Sequence, residues 1–134
     1  MAHTAAHDMF ARDTASQRLG MELISAAEGA ATVRMTVSAE MVNGHGMTHG
    51  GYVFLLADTA FACACNSHGP VTVAAGADVT FLRPSGEGDV LEARAQERST
   101  NGRSGVYDVT VTRDGDVVAE FRGRSRMISP GRPA

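Results

Sequence analysis

The 134-residue sequence lacks several features that mark whole classes of protein. It has little cysteine, a net charge of −3 and no long uninterrupted apolar segment. Domains that bind nucleic acid carry a clear excess of positive charge, so we expect no nucleic-acid partner. The apolar run at 52–65 is too short to span a bilayer and contains an aspartate. We therefore expect no membrane partner.

The scarcity and placement of cysteine bear on the cellular compartment. Cys63 and Cys65 lie two positions apart, a spacing that directs them to different sides of a helix, so we expect no disulfide between them. Free thiols are typical of a reducing compartment. Residues 1–20 also lack the uninterrupted apolar core of a signal peptide. Together these features predict a cytoplasmic protein.

The sequence fingerprints of several enzyme classes are missing. There is no Gly-x-Ser-x-Gly nucleophile elbow, no P-loop and no dinucleotide-binding glycine motif. His45 and His49 have a spacing that can bind zinc on a helix, but they fall in a glycine-rich stretch with no third ligand nearby. We therefore expect neither a metal site nor a cofactor.

The first half of the chain predicts a helix, a hairpin and a loop. We expect one domain over 1–134, with a short N-terminal helix within about 1–18 and a frayed tail at about 129–134. Apolar runs on either side of Glu28-Gly29 predict a β-hairpin. The glycine-rich stretch at 38–51 predicts a loop.

The apolar run that follows the loop predicts one long buried helix. Alanine, leucine and phenylalanine fill it, and "NSHGP" at 66–70 supplies the glycine and proline that commonly follow a helix. Because the run is apolar on all sides, the helix must be enclosed on most of them.

The second half of the chain changes to the pattern of β-strands. Asp114-Gly115 lies between two alternating runs and is a strong hairpin signal. We expect four strands in an antiparallel meander, at 71–82, 89–98, 105–113 and 116–129. The predicted fold is therefore α+β, with a curved sheet around a single helix. Such a sheet leaves open edges and part of the helix uncovered, so we expect at least a homodimer.

The predicted helix contains one carboxylate, Asp58, in its most apolar part. A buried charge without partners is costly, so Asp58 has either structural partners or a chemical role. Gly50 and Gly51, where the helix begins, would offer free backbone N–H groups to a carbonyl compound, as in an oxyanion site. The alternative is that the glycines serve a tight turn and that Asp58 is a satisfied buried acid.

The spacing of Gly50 and Asp58 decides how a site could be built. Eight residues of helix separate them by about 12 Å along the axis, because each residue adds about 1.5 Å. Reacting groups must approach to about 3–3.5 Å. The two groups of one helix therefore cannot reach one carbonyl, whereas antiparallel helices of two subunits could bring them together.

Arginines supply the candidate contacts to an anionic ligand. Arg122, Arg124 and Arg126 alternate along the last strand and share one face, while Arg83 and Arg103 lie at strand ends. They could bind phosphate groups. The face could equally be a solvated outer surface or a subunit contact.

Five stretches of the chain resemble one family, the hotdog-fold acyl-CoA thioesterases of phenylacetate degradation (PaaI-type). These are "NGHGMTHGG" at 43–51, "LADTAFACACNSHG" at 56–69, "FLRP" at 81–84, "GVYDVTV" at 105–111 and "FRGRSRMI" at 121–128. The resemblance implies a long central helix wrapped by an antiparallel sheet, and dimers that pair into a homotetramer. It also implies hydrolysis of an acyl-CoA thioester, with coenzyme A as part of the substrate.

The resemblance also implies roles for particular residues. Gly50 would polarise the thioester carbonyl through its backbone N–H, and His49 would help to hold the thioester. Asn43 would orient water or the acid, and Asp58 of the partner subunit would be the nucleophile or the general base. The predicted contacts to substrate or coenzyme A are Gly51, Thr59, Arg83, Arg103, Arg122 and Arg124.

One departure from the family pattern and two rival functions stay open. Relatives can place Ser or Thr near the acid on the strand after the helix, where this chain has only small residues at 74–77. That leaves room for a bulky acyl group such as phenylacetyl or hydroxylated phenylacetyl. The rivals are an acyl-thioester dehydratase or hydratase, and a non-catalytic acyl-CoA-binding protein of the same fold.

Overall fold

A long helix, α3, runs across one face of a six-stranded sheet. The computed structural model describes residues 3–128, and the predicted frayed tail at 129–134 lies outside them. The elements are α1 (Ala5–Ala11), α2 (Thr14–Arg18), β1 (Glu22–Ala27), β2 (Ala30–Thr36), a 3₁₀ turn (Ala39–Met41), α3 (Gly50–Asn66), β3 (Thr72–Phe81), β4 (Val90–Asn101), β5 (Ser104–Arg113) and β6 (Asp116–Met127).

The predicted central helix is confirmed in α3. His49 caps its N-terminus, since the His49 Nδ1 accepts the Gly51 N–H at 3.0 Å. The inward-facing side chains of the strands bury the helix in an apolar core that includes Val33, Met35, Leu91, Ala93, Val109, Val111, Ala119 and Phe121. Within residues 3–128, no helix is both long enough and apolar enough to cross a membrane.

The sheet corrects the predicted four-strand meander. The strand order is β1-β2-β4-β5-β6-β3, and every neighbouring pair is antiparallel. Only β4, β5 and β6 form a meander, because β3 pairs with β6 at the far edge. The physical reason lies in the connections. Short turns hold β4 to β5 and β5 to β6, whereas the segment 82–89 is long enough to carry the chain from the edge to the middle of the sheet.

The N-terminal helix is also corrected, since it is two short helices rather than one. The chain breaks after α1, and Asp13 starts α2 as its N-cap, with the Asp13 carboxylate accepting the Ser16 N–H at 3.0 Å. An aspartate side chain satisfies such an N–H better at a helix start than in a helix interior. The hairpin at Glu28-Gly29 is confirmed, with both residues at positive φ.

One side of the molecule is left open. Among residues 3–128, strand β3 has a neighbour only on its β6 side, and its Val73 and Phe81 are 43% and 52% exposed. On α3, the half-buried residues recur at helical spacing and form one stripe, namely Phe54, Leu55, Asp58 and Ala62. Unpaired strand edges readily accept another strand, so this side of the fold is suited to a second copy.

Helix α3 packs closely against the sheet where Phe61 lies over Gly123 of β6. A Cβ at position 123 would lie 2.8 Å from three atoms of the Phe61 ring. That ring is itself held between Tyr107 and Phe121, at centroid distances of 5.6 and 5.8 Å. The absence of a side chain at Gly123 therefore sets the spacing between helix and sheet.

We expect Gly123→Ala to destabilise the fold by about 1–3 kcal/mol, because a well-packed core tolerates an added methyl only with strain. The free energy of unfolding in urea, at fixed protein concentration, measures the effect. Gly44→Ala is the matched control, since a Cβ there meets no atom within 4 Å. Equal stability of the two variants would contradict this account of the packing.

Candidate functional site

The loop before α3 is ordered by the side chain of Asn43. Its Oδ1 accepts the backbone N–H groups of His45 and Met47, at 2.9 and 3.1 Å. The backbone closes the same turn, because the Asn43 N–H donates to the Met47 carbonyl at 2.7 Å. Asn43 therefore uses its carbonyl oxygen on the loop and keeps its amide N–H groups available.

A buried pair of hydroxyl groups, missed in the sequence, ties this loop to the connection between β3 and β4. The Ser85 hydroxyl donates to Thr48 Oγ1 at 2.7 Å, and the Thr48 N–H donates to the Ser85 carbonyl at 2.8 Å. The two residues are 37 positions apart in the chain. No local sequence pattern reports such a contact.

The start of α3 presents a free donor to a cleft. Among the described residues, no acceptor lies within hydrogen-bond distance of the Gly50 N–H, as is usual for the first residue of a helix. The absence of a side chain lets Phe81 pack close by, since a Cβ would lie 3.0 Å from its ring. The cleft has a volume of about 390 Å³ and is lined by Asn43, Met47, Thr48, Gly50, Val53, Phe81, Leu82, Arg83, Pro84, Ser85 and Val118.

Asp58 lies two turns further along α3, on the half-buried stripe, and does not line this cleft. The rise of an α-helix puts it about 12 Å from Gly50 along the axis. Among residues 3–128, no side chain or backbone N–H forms a hydrogen bond or ion pair with its carboxylate. Burial, and then the charge of Asp13, raise the pKa of Asp58 above its ordinary value. A carboxylate that accepts hydrogen bonds from structural partners would instead have a lowered pKa.

Thr59 is the one predicted site residue whose side chain lies in the interior. Its hydroxyl donates to the Leu55 carbonyl at 2.9 Å and lies 3.0 Å from the Ser16 hydroxyl of α2. Gly51, in contrast, is exposed in the first turn of α3, beside the His49 ring.

The four candidate arginines lie at separate places. Arg83 lines the cleft with Gly50, and its Nη1 donates to the Val117 carbonyl at 2.7 Å. Arg103 lies at the opposite end of α3, beside a second cleft of about 350 Å³. Arg122 and Arg124 lie on the outer face of the sheet, where Arg122 pairs with Asp108 at 2.6 Å and Arg124 with Asp78 at 3.1 Å.

The two cysteine thiols are unreactive at neutral pH. Cys63 and Cys65 are free and buried, and burial raises the pKa of both thiols to about 12, so they stay protonated at neutral pH. In the described part of the chain, no three His, Cys, Asp or Glu side chains cluster in a way that could hold a metal ion.

Comparison with known families identifies the class of protein. A family model described as the thioesterase superfamily matches residues 45–120, which include the loop from His45 onward, α3 and most of the sheet. The chain therefore belongs to the thioesterase superfamily. Within it, the acyl-coenzyme A thioesterase PaaI of Escherichia coli K12 is 48% identical over 132 residues, covering 96% of this chain and 94% of that protein.

Solved structures agree with that assignment and confirm the hotdog fold. The E. coli PaaI protein, from the phenylacetic acid degradation operon, superposes with a TM-score of 0.91 over 93% of this chain and 91% of that one. The TT0310 protein from Thermus thermophilus is 39% identical with a TM-score of 0.84, over 87% and 99%. The smu.793 protein from Streptococcus mutans UA159, solved with acetyl-CoA bound, is 26% identical with a TM-score of 0.77, over 80% and 87%.

We expect Asp58→Asn to stabilise the fold at pH 7. Because the folded-state pKa of Asp58 lies above the unfolded value, ionisation of this carboxyl opposes folding, and the penalty is complete above the folded pKa. The gain should shrink as the pH falls toward the unfolded value near 3.9. Thermal unfolding midpoints measured from pH 4 to 8 test this.

A buried acid with structural partners behaves in the opposite way, because its amide leaves those partners unsatisfied. A loss of stability in Asp58→Asn at pH 7 would therefore contradict the description of Asp58 as an unpartnered carboxylate.

Proposed function

We propose that the chain hydrolyses acyl-CoA thioesters to a free acid and coenzyme A, with each active site shared between two copies. The observation that carries the proposal is the pair of unsatisfied groups on α3, the Gly50 N–H and the Asp58 carboxylate. The Gly50 N–H can stabilise the oxyanion that forms in acyl transfer, and the Asp58 carboxylate can accept the proton. The identity to the E. coli acyl-CoA thioesterase supports the same reaction.

Gly50 would act on the thioester oxygen. A carbonyl oxygen bound to the Gly50 N–H would gain negative charge as the carbon becomes tetrahedral, and the positive end of α3 would stabilise it. His49, the neighbouring N-cap, would flank the bound thioester. Asn43 would use its free amide N–H groups to orient water or the acid.

Asp58 of the partner subunit would act on the carbonyl carbon. As a general base, its carboxylate takes a proton from water while the water oxygen attacks, and the carbon–sulfur bond then breaks to release the coenzyme A thiolate. As a nucleophile, a carboxylate oxygen attacks the carbonyl carbon, the carbon–sulfur bond breaks to release the coenzyme A thiolate, and water then hydrolyses the resulting anhydride to the free acid and the Asp58 carboxylate. Either route needs an ionised carboxylate, and a raised pKa makes that carboxylate a stronger base.

The open side of the fold supports a shared site. A second copy placed against the exposed β3 edge would extend the sheet and cover the stripe of α3 that holds Asp58. With the two α3 helices antiparallel, Gly50 of one copy would approach Asp58 of the other. Dimers of this kind would pair further into a homotetramer, in the reducing cytoplasm that suits two free thiols.

The substrate class follows from the surroundings of that stripe. Ala74 and Ala75 on β3 are exposed and small, and they leave space beside α3 for a bulky acyl group. We propose that a phenylacetyl or hydroxylated phenylacetyl group would occupy that space, and the operon of the E. coli relative supports this choice. Arg83, in the cleft with Gly50, is the arginine best placed to meet coenzyme A phosphates. No cofactor is required.

Thiol release from a panel of acyl-CoAs tests the reaction. We expect turnover with phenylacetyl-CoA and hydroxylated phenylacetyl-CoA to exceed that with short aliphatic acyl-CoAs. Asp58→Asn should lower kcat by roughly 100-fold to 10,000-fold, the usual contribution of a general base, while acyl-CoA binding persists. Binding without hydrolysis by the unmodified protein would contradict the proposal and favour a non-catalytic acyl-CoA-binding protein.

Mixing two inactive variants tests the shared site. Gly50→Pro removes the N–H under test at a helix position that accepts proline, and His49 already has the extended backbone (φ −62, ψ 131) that a following proline requires. Co-expressed with Asp58→Asn, it should restore roughly a quarter of full activity, since random pairing gives half heterodimers with one intact site of two.

The control for this mixture is a second substitution at Gly50. Gly50→Ala makes the same contact with Phe81 but keeps the N–H, so it should retain far more activity than Gly50→Pro. If the mixture is no more active than either variant alone, the site does not draw Gly50 and Asp58 from different copies.

A further inference from the structure

We propose that the segment containing α1 and α2 supports the active site. Asp13, acting through Ser16 and Thr59, fixes the turn of α3 that carries Asp58. Asp13 also places a second carboxylate near the carboxylate of Asp58. The inference rests on the proposed function of Asp58. It assigns positioning roles to three residues, and for Thr59 this role takes the place of the substrate contact predicted from the sequence, because its hydroxyl is bonded within the fold.

The contacts form one continuous series of hydrogen-bonded oxygen atoms between α2 and α3. The Ser16 hydroxyl lies 2.6 Å from Asp13 Oδ2 and 3.0 Å from Thr59 Oγ1. Ser16 is 1% exposed and Thr59 is 5% exposed, so water does not compete for these bonds. Since Thr59 directly follows Asp58 in sequence, these bonds hold the stretch of backbone that carries Asp58.

The positions of the hydroxyl protons determine which group donates in each of these hydrogen bonds. Ser16 donates its only hydroxyl proton to the Asp13 carboxylate, as the short 2.6 Å separation of a charge-assisted bond indicates. Thr59 then shares its own proton between the Leu55 carbonyl and the Ser16 oxygen. Asp13 Oδ1 accepts the Ser16 N–H as well, so both carboxylate oxygens are hydrogen-bonded to Ser16.

The charge of Asp13 acts on Asp58. Burial is the main reason that the pKa of Asp58 is raised, and the Asp13 charge adds to it. The Cys63 and Cys65 thiols on α3 are uncharged at neutral pH. Helix α1, which also packs against α3, carries His7 and Asp8 and ends at the C-cap Arg12. The strands that pack on the helix present buried apolar side chains there, including Ala31, Val33, Met35, Leu91, Ala93 and Ala95.

Direct titration of Asp58 tests the electrostatic half of the inference without using activity. We expect Asp13→Asn to lower the pKa of Asp58, read from carboxyl ¹³C NMR and assigned with Asp58→Asn. Asparagine is as good an N-cap, because its Oδ1 can still accept the Ser16 N–H. Its amide NH2 replaces the oxygen that accepts the Ser16 hydroxyl, so that hydroxyl turns toward Thr59 while the negative charge is lost. Asp8→Asn, an exposed site on α1, is the control and should leave the Asp58 titration unchanged.

An Asp58 pKa that is unchanged or raised in Asp13→Asn would overturn the electrostatic role. This readout stands apart from the proposed function, because it is decided whether or not the protein turns over acyl-CoA. If the protein turns over acyl-CoA, the pH at which kcat/KM falls on the acidic side should be lower in Asp13→Asn and unchanged in Asp8→Asn.

The positioning half is tested at Thr59. Thr59→Val keeps the shape and removes the hydroxyl, and we expect kcat to fall by roughly tenfold, since a displacement of about 1 Å at a reacting group can cost about 100-fold. KM should change little, because substrate contacts are kept. Thr59→Ser should restore most of the loss. Equal kcat in Thr59→Val and Thr59→Ser would overturn the positioning role.

Discussion

The stiffness of α3 is the constraint on which the rest of the molecule depends. A single helix of 17 residues, fixed to the sheet by packing such as Phe61 on Gly123, holds its Gly50 N–H and its Asp58 carboxylate about 12 Å apart. Neither group has a partner among the described residues of its own chain. In the proposed function, one copy therefore holds two halves of a site that it cannot join.

The fold is arranged around that separation. The loop before the helix is tied down by Asn43 and by the Thr48–Ser85 pair, so the donor end is rigid. The acid lies on the half-buried stripe of the helix, and β3 forms an edge of the described sheet. In the proposed dimer, a strand edge that is a liability for a solitary domain would be the place where a second copy supplies the missing half of the site. The cost of keeping Asp58 poorly satisfied falls on stability, as is common for groups kept for chemistry.

Much of this could be predicted from local pattern. The apolar run indicated the length of the helix, the turn dipeptides indicated the hairpins, and the eight-residue spacing from Gly50 to Asp58 required no structure at all. Non-local pairing could not be predicted. The position of β3 depends on which edge its backbone reaches after α3, and nothing in its own residues specifies β6 as its neighbour. The break before Asp13 was missed because α1 and α2 together have the composition of one helix, and the Ser16–Thr59 contact joins residues 43 positions apart.

The central claim is that the two halves of each site come from different copies. Its most direct test is a crystal structure of Asp58→Asn with phenylacetyl-CoA bound, in which the substrate survives because the acid is gone. We predict a thioester oxygen about 3 Å from the Gly50 N–H of one copy, with the side chain at position 58 of the other copy facing the carbonyl carbon. A thioester contacted by residues 50 and 58 of the same copy, or by neither, would contradict the claim.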